Sequence, residues 1–478
     1  MTAPVVVILA AGQGTRMRSR TPKLLHPICG WPMIAWPVAA AKAAGAIKIV
    51  VVDAPGEPLR ASLDDDVTVV VQEQALGTGH ALRAASEHFG DGPVVALYGD
   101  VPLIRAETIA SLVQAHESVD VVATVLAATL DDPSGYGRVV RDQQGNVLKI
   151  VETKKPGDAT EEEMLIHEIN TGMYVFDGAL LGAALDQIGN QNVQGEYYLP
   201  DVLPILREGG RSIGASPLED PLEIFNVNDR RALAAATVFA QRRINEAHML
   251  AGATLISPES TVIDADVSLG EDVIIEPGTA LHGFTSVGAG STIGPHSTLH
   301  DVTVGNDSTV IHSYVSGVTI ADEVTVGPFS YLRPGTELHD GAKAGAFVEI
   351  KNTEVGERSK VPHLSYIGDA TIGEDCNIGA STITGNYDGY AKHRTKIGSR
   401  VHTSVDTTLV APVELADDTY TGAGSVITED VPEGALGIAR PRQTNIAGYT
   451  AKALLRQTAG KTVQPVDKSS DSDHTRAD

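Results

Sequence analysis

In the first half of the chain, apolar residues come in short runs: "VVVILA", "IKIVVV", "VTVVV", "PVVALY" and "VVATVLA", separated by Ala-rich, helix-like stretches from Val5 to about Asn228. That alternation predicts an α/β domain on a mostly parallel sheet. The stretch "DRRALAAATVFAQRRINEAHML", Asp229 to Leu250, has strong helix formers and neither Gly nor Pro. It predicts a helix joining two bodies.

Beyond that helix the period changes. Ile263, Leu269, Ile275, Leu281, Val287, Ile293 and Leu299 recur at every sixth position. Ile397, Leu409, Leu415 and Ile427 later repeat the six-residue spacing among themselves, with Thr403 and Thr421 in its gaps. No helix has this repeat. It predicts a parallel β-helix in which each hexapeptide forms one side of a coil and turns its aliphatic residue inward, with roughly ten coils in all. An irregular sandwich with accidental spacing is the alternative. Gly270, Gly288 and Gly294 follow inward positions and are expected at corners that need positive φ. The regular period breaks after Ile350 and again in "TGNYDGYAKHRT", between Ile383 and Ile397. The expected organisation is 1–228 for the α/β domain, 229–250 for the linker helix, 251–447 for the solenoid and 448–478 for a tail. Its end, "DKSSDSDHTRAD", lacks large apolar residues and is expected to be disordered.

Charge narrows the choice of partners. The 478 residues hold 36 Lys and Arg against 61 Asp and Glu, a formal net charge of −25. No basic stripe stands out, so nucleic acid is not an expected partner. Cys29 and Cys376 are far apart and lack metal-ligand spacing, which predicts neither a disulfide framework nor a structural zinc site and suits a reducing cytoplasm. The opening residues carry no charged run and no leader is expected, and no apolar stretch approaches the ~20 residues of a membrane span. A soluble, cytoplasmic protein is expected. Aromatics are 4% of the chain and Gly is 48 residues, so a Gly-punctuated repeat dilutes the composition.

Against this acidic background, "LAAGQGTRMRSRTPKLLH" places Gly12, Gly14, Arg16 and Lys23 directly behind the first apolar run. A Gly-rich turn after a strand presents backbone N–H groups to phosphates. A dinucleotide fingerprint would need a third glycine at Met17, and a Walker loop a Lys-Ser or Lys-Thr pair; neither is present. A Gly loop followed by two mobile cations suits a ligand with several phosphates. The bland alternative is a tight turn with solvated basic residues. A second loop, "QEQALGTGHA", sets Gly77, Thr78 and Gly79 at a helix start. "PVVALYGD" ends on Asp100, a carboxylate at the carboxyl end of a strand, where a hard divalent cation would need oxygen ligands. A helix-capping Asp is the competing reading.

Together, "LAAGQGTRM", Lys23, "LGTGHA", "YGD", "GYGR", "VE" and "EINTG" resemble the sugar-1-phosphate nucleotidyltransferases. Followed by a hexapeptide solenoid with "NYDG", they resemble the bifunctional N-acetylglucosamine-1-phosphate uridyltransferase and glucosamine-1-phosphate acetyltransferase family over nearly all of Val5 to about Ala447. The resemblance implies a Rossmann-like α/β domain followed by a left-handed parallel β-helix, and a homotrimer with acetyl sites between neighbours. It implies that Leu9, Ala10, Ala11 and Gly12 contact the uridine nucleotide, that Arg16 and Lys23 hold phosphates, and that Gln72, Gly77 and Thr78 read uracil. Tyr98 and Gly99 join the substrate-binding set, Gly137, Glu152 and Asn170 match positions that hold the N-acetylhexosamine, and Asp100 and Asn228 match the Mg²⁺ ligands. Asp100 is also reached from spacing; Asn228 rests on the resemblance alone.

For the solenoid, the resemblance implies that Arg333, Lys351, Tyr366 and Asn377 bind glucosamine 1-phosphate and that His363, in "KVPHLSYIGD", is the general base. A sugar amine arrives largely protonated, and imidazole titrates near neutrality. Ala380, Asn386, Tyr387, Ala423 and Arg440 match acetyl-CoA contacts. At the corresponding position Val405 stands where the family has serine, and Ser404 is expected to face the other side of its strand. The implied activity is acetyl transfer from acetyl-CoA to glucosamine 1-phosphate, then uridylyl transfer from UTP to N-acetylglucosamine 1-phosphate. One alternative keeps only uridylyl transfer, with the solenoid as a trimerisation scaffold or weakened acetyl site; another is a scaffolding relative without turnover. His282, His296, His300 and His312 raise a zinc reading, against which scattered exposed histidines are the favoured explanation.

Overall fold

The computed structural model describes residues 2–153, 159–191, 195–208 and 210–459. The segment "DKSSDSDHTRAD" lies outside the described residues. The N-terminal strands are β1 (Val5–Leu9), β2 (Lys48–Asp53), β3 (Thr68–Val71), β4 (Pro93–Tyr98), β5 (Ala123–Thr129), β6 (Arg138–Arg141), β7 (Val147–Val151), β8 (Glu168–Asp177) and β9 (Ile213–Pro217). Their order is β9-β5-β8-β4-β1-β2-β3, with β8 antiparallel to both neighbours and the β6–β7 hairpin attached to it. Val6 and Ile8 of β1 enter one apolar layer while Val5, Val7 and Leu9 enter the other. Burial on both faces is why these strands read as unbroken apolar runs.

Register fixes where the loops emerge. Leu9 pairs with both Val52 and Tyr98, and Asp53 pairs with Val71. The Gly loop after β1, Gln72 after β3 and Asp100 after β4 therefore leave from one edge, at the carboxyl ends of parallel strands.

The linker helix spans Arg230–Leu250, and Asp229 caps it by accepting from the Arg231 and Ala232 amides. It is fastened to both bodies. Arg243 donates to the Leu103 carbonyl at 2.5 Å and pairs with Asp220 at 3.1 Å, while Gln241 donates to the Ile263 carbonyl at 2.9 Å. Asn245 is only 2% exposed, and its amide donates to the Pro258 and Thr261 carbonyls, which explains a buried polar residue inside a helix. A hairpin made by Pro27–Ile28 and Trp31–Pro32 adds a second clasp, with Trp31 Nε1 donating to Asp266 at 2.6 Å. Cys29, within that hairpin, and Cys376 are buried free thiols, and burial pushes the Cys29 thiol up to about 12.

From Thr254 onward the chain forms three parallel sheets of seven, ten and nine strands, the sides of a left-handed parallel β-helix. The six-residue set points inward: Ile263, Ile275, Leu281, Ile293 and Leu299 are fully buried. Thr403 and Thr421, in the gaps, also point inward, and their hydroxyls meet Thr382 and Thr407, each at 3.0 Å. Hydroxyl pairing lets a polar residue occupy an aliphatic position.

The glycine expectation needs correction. Gly294 has φ +106°, but Gly270 and Gly288 are not in the positive-φ region. A Cβ would lie 2.8 Å from Ala289 N at Gly270 and 2.5 Å from Gly305 C at Gly288, so contact between coils excludes a side chain there. Positive φ falls on other glycines, among them Gly278 and Gly290, and on non-glycine corners such as His296, His312, Phe329, Phe347 and Leu364. A left-handed residue costs roughly 1–2 kcal/mol. At these corners the amide donates to the preceding coil, as Phe329 N does to the His312 carbonyl at 2.8 Å and Leu364 N to the Ala346 carbonyl at 3.0 Å.

Candidate active sites

The first site is a 390 Å³ cleft at the carboxyl edge of the sheet. Leu9, Ala10, Ala11 and Gly12 form one wall, and Gln72, Gly77 and Thr78 another. Lys23, Tyr98, Asp100, Glu152 and Asn170 complete the predicted residues that line it. Gly99 and Gly137 support the wall rather than line it. Gly99 N donates to the Leu9 carbonyl at 3.0 Å, and Gly137 accepts from Asn170 N at 2.9 Å. A Cβ on Gly99 would lie 2.9 Å from the Leu24 side-chain tip and 3.0 Å from that of Ile34, so a side chain there would displace both. Burial pushes the Tyr98 phenol far above its usual range, with the Asp100 and Glu152 carboxylates adding to the shift. The phenol is therefore neutral and can donate.

At the mouth, four polar side chains form a continuous chain. Arg16 Nη2 donates to Asn228 Oδ1 at 2.8 Å, Lys23 Nζ reaches the same oxygen at 3.4 Å, and Lys23 Nζ pairs with Asp100 Oδ2 at 2.5 Å. Asn228 is held near Asp100 because Val227 N donates to the Asp100 carbonyl at 2.9 Å. Two hard oxygens, one from a carboxylate and one from an amide, thus converge on the position of one ammonium. That donor set fits a divalent cation of the magnesium type, which uses few protein ligands and completes its shell with water and phosphate oxygens.

In the solenoid, the predicted residues fall into two groups. Arg333 N donates to the Ile350 carbonyl at 2.9 Å, which puts Arg333 and Lys351 on adjacent coils. Arg333 pairs with Glu349 at 2.9 Å, and Lys351 lies 3.7 Å from Asp369. Asn386 Nδ2 donates to Asp369 at 2.5 Å and stands 3.5 Å from the Tyr366 hydroxyl. Burial opposes ionisation of Asp369, but hydrogen bonds from Asn352 and Asn386 and the nearby lysine charges hold its carboxyl below the usual range.

The second group is a row. Lys360, Asn377, His402 and Tyr420 are bridged one to the next across successive coils. Three residues further along each coil, the same register aligns His363, Ala380, Val405 and Ala423 at one corner. Ser381 N donates to the His363 carbonyl at 3.3 Å, Asp406 N to Ala380 at 2.8 Å and Gly424 N to Val405 at 3.0 Å. Tyr420 pairs with Leu436, which brings Arg440 one position beyond this row. Val405 is 54% exposed and Ser404 is more enclosed; both lie at a corner rather than in a strand, so their difference does not come from the strand alternation expected for Ser404. Tyr387 sits in the loop that leaves the coils, bridged to Lys392.

Sequence reasoning missed several residues at both sites. Glu196, Tyr198 and Pro200 close the first cleft. The stretch "EYYLPD", with two adjacent tyrosines in an aromatic-poor chain, was the available signal. In the solenoid, Lys351, Asp369, Lys392, His393 and Arg394 border a 550 Å³ hollow. The Lys351 ammonium beside it holds the Lys392 amine below its usual range. This concentration of cations suits a phosphate, and it comes from the segment that breaks the repeat. The rings of His282 and His300 lie 6.3 Å apart and those of His296 and His312 5.7 Å apart, each pair tilted, as neighbours on successive coils. Among the described residues no group of three or more His, Cys, Asp or Glu converges to hold an ion.

Residues 6–155 match the MobA-like NTP transferase domain. Over 452 residues the chain is 48% identical to the bifunctional protein GlmU of Caldanaerobacter subterraneus, covering 94% of this chain and 98% of the relative. It is 46% identical to the protein of that name from Brevibacillus brevis over 93% of this chain and 97% of the relative. It is 45% identical to that of Streptomyces coelicolor over 98% of both. Among the described residues no helix is long and apolar enough to cross a membrane.

Proposed function

The chain belongs to the bifunctional GlmU family, and from that premise we propose that it makes UDP-N-acetylglucosamine by two transfers at two separate sites. The segment 251–447 acetylates glucosamine 1-phosphate, and 1–228 then transfers uridylate to the product. The helix 229–250 joins them.

In the acetyl step, Arg333, Lys351, Tyr366 and Asn377, with Lys392, hold the sugar phosphate. His363 takes a proton from the sugar ammonium. The freed amine attacks the thioester carbonyl of acetyl-CoA, the carbon–sulfur bond breaks and the thiol leaves. Ala380, Val405 and Ala423, together with Asn386, Tyr387 and Arg440, form the acetyl-CoA surface. The row that aligns His363 with Ala380, Val405 and Ala423 supports this assignment.

In the uridylyl step, a phosphate oxygen of N-acetylglucosamine 1-phosphate attacks the α-phosphorus of UTP, and the bond to the β-phosphate oxygen breaks to release pyrophosphate. Mutual repulsion of the anions is the main obstacle, and Arg16 and Lys23 offset it. Gln72, Gly77 and Thr78 hold uracil, and Gly137, Glu152 and Asn170 hold the sugar. Asp100 and Asn228 would hold Mg²⁺, which supplies charge neutralisation and polarises a phosphoryl oxygen when bound. The observation that carries the reading is the meeting of a Gly loop, Lys23, Asp100 and Gln72 in one cleft.

We also propose a cytoplasmic homotrimer without nucleic-acid partners. Phe329, Phe347 and Leu364 stack as an apolar, exposed ladder on the same corner as His363, and burial against a second copy would bring a neighbour's residues to the acetyl site. The net charge of −25 disfavours polyanions. Calorimetric titration of UTP with Mg²⁺ tests the nucleotide site: saturable heat that K23A weakens supports it, and no heat with the wild-type protein refutes it.

A further inference from the structure

We propose that His80 determines which nucleobase the cleft accepts, by locking the Gln72 amide with its oxygen toward the ligand. The proposal rests on the reading of Gln72 as the base contact.

The geometry fixes the protons without ambiguity. Gln72 Nε2 lies 3.1 Å from the Gly77 carbonyl oxygen and 3.0 Å from His80 Nδ1. A carbonyl oxygen only accepts, so the amide atom facing it must be the NH₂ group, and the usual uncertainty between amide O and N is removed. An NH₂ nitrogen cannot accept, so His80 Nδ1 must be the acceptor and carry no proton. Burial, with the Arg83 charge, holds the imidazole below its usual range, in keeping with a neutral ring. Both amide protons of Gln72 are then spent, and the group left for the cleft it lines is the Oε1 acceptor.

An acceptor fixed in this place reads a donor. Uracil presents N3–H there, whereas cytosine presents an N3 lone pair. A freely turning glutamine would satisfy both bases by flipping its amide. The locked one favours uracil and repels cytosine, because turning it over would set Oε1 against the Gly77 carbonyl and leave His80 Nδ1 without a donor. His80 is a positioning residue: it acts on the base through Gln72.

The test uses the full-length protein with Mg²⁺ and N-acetylglucosamine 1-phosphate, comparing kcat/KM for UTP and CTP. H80A should lower the UTP preference about tenfold, the worth of one hydrogen bond of about 1.4 kcal/mol. The change should fall on KM, with kcat little altered. H80N, which restores an acceptor near the Nδ1 position, should recover the preference. In the wild-type protein, the imidazole ¹⁵N shifts of His80 should report the Nε2–H tautomer at neutral pH. An Nδ1–H tautomer or an imidazolium, or an H80A variant that keeps full preference while Q72A loses it, overturns the proposal. Full preference in Q72A overturns the base-contact reading beneath it.

Discussion

Lys23 Nζ and Asp100 Oδ2 stand 2.5 Å apart although 77 positions separate them in the chain. The ammonium is the counter-charge of a carboxylate that the fold presents at the edge of its sheet, and Asn228 Oδ1 shares it. On the proposed function this pair would part when substrate binds: Asp100 and Asn228 would hold a divalent ion, and Lys23 would turn to phosphate.

D100N should therefore weaken divalent-ion binding, raising the Mg²⁺ concentration at half-maximal uridylyl transfer. K23A should cut kcat/KM for UTP by about 10²–10³, the usual loss of one group that stabilises developing charge. Neither change should alter thiol release from acetyl-CoA. Steady-state rates for each product measured against Mg²⁺ check both.

At the acetyl corner, V405S restores a hydroxyl in the row headed by His363. Acetylation is expected to rise and uridylyl transfer to stay the same. An equal or lower acetylation rate would mean that backbone N–H groups suffice at the thioester oxygen.

The junction of the two bodies carries a pH-dependent contact. His282 Nδ1 lies 3.1 Å from Asp264 Oδ2. The Asp264 hydrogen bond raises the imidazole above its ordinary 6.5. Burial works against the Asp264 carboxylate, but bonds from His282 and the Gly283 amide, with the His300 charge, bring its pKa below the ordinary 3.8. A raised imidazole stabilises fully below about 6.5, and this is lost as pH climbs through its folded value. A lowered carboxylate stabilises above about 4, and this is lost as pH falls through its folded value. Wild-type protein should exceed H282Q in stability by at most about 1 kcal/mol, since the imidazole is a third exposed. The margin should be greatest between these limits and shrink above neutrality. Urea melts at several pH values measure it.

Two glycine substitutions should move thermal stability in opposite directions. At Gly288 a Cβ would meet the backbone of the next coil, so G288A should cost about 1–3 kcal/mol. Gly182 lies in the helix Gly178–Leu185 with nothing within 4 Å of a Cβ, so G182A should gain about 0.5–1 kcal/mol. Thermal melts of the two variants check the signs.

The parts of this molecule that sequence could reveal are those governed by local rules. Unbroken runs such as "VVVILA" mark β1 because both faces of the strand are buried, and the six-residue set marks the solenoid because each side of a coil turns one aliphatic residue inward. Asp100 was legible because the end of β4 fixes its place. β8 was not foreseen as a strand. Its Asn-Thr-Gly segment breaks the apolar pattern, and the register shifts between Asn170 and Tyr174. The roles of Gly270 and Gly288 depend on a neighbouring coil, and those of Tyr198 and Lys392 on loops that return to a site from far along the chain. Local pattern marks such segments, as the paired tyrosines of "EYYLPD" and the repeat break in "TGNYDGYAKHRT" do, but not the site to which they return.

The central claim is that one chain carries two independent transfer sites. The most direct measurement supplies glucosamine 1-phosphate, acetyl-CoA, UTP and Mg²⁺ to wild-type, K23A and H363A proteins and follows thiol and pyrophosphate release separately. Wild type should release both, and K23A should release thiol with little pyrophosphate. H363A should release little of either until N-acetylglucosamine 1-phosphate is added, which should restore pyrophosphate alone. Wild-type protein that released only one product, or a single variant that abolished both with every substrate supplied, would contradict it.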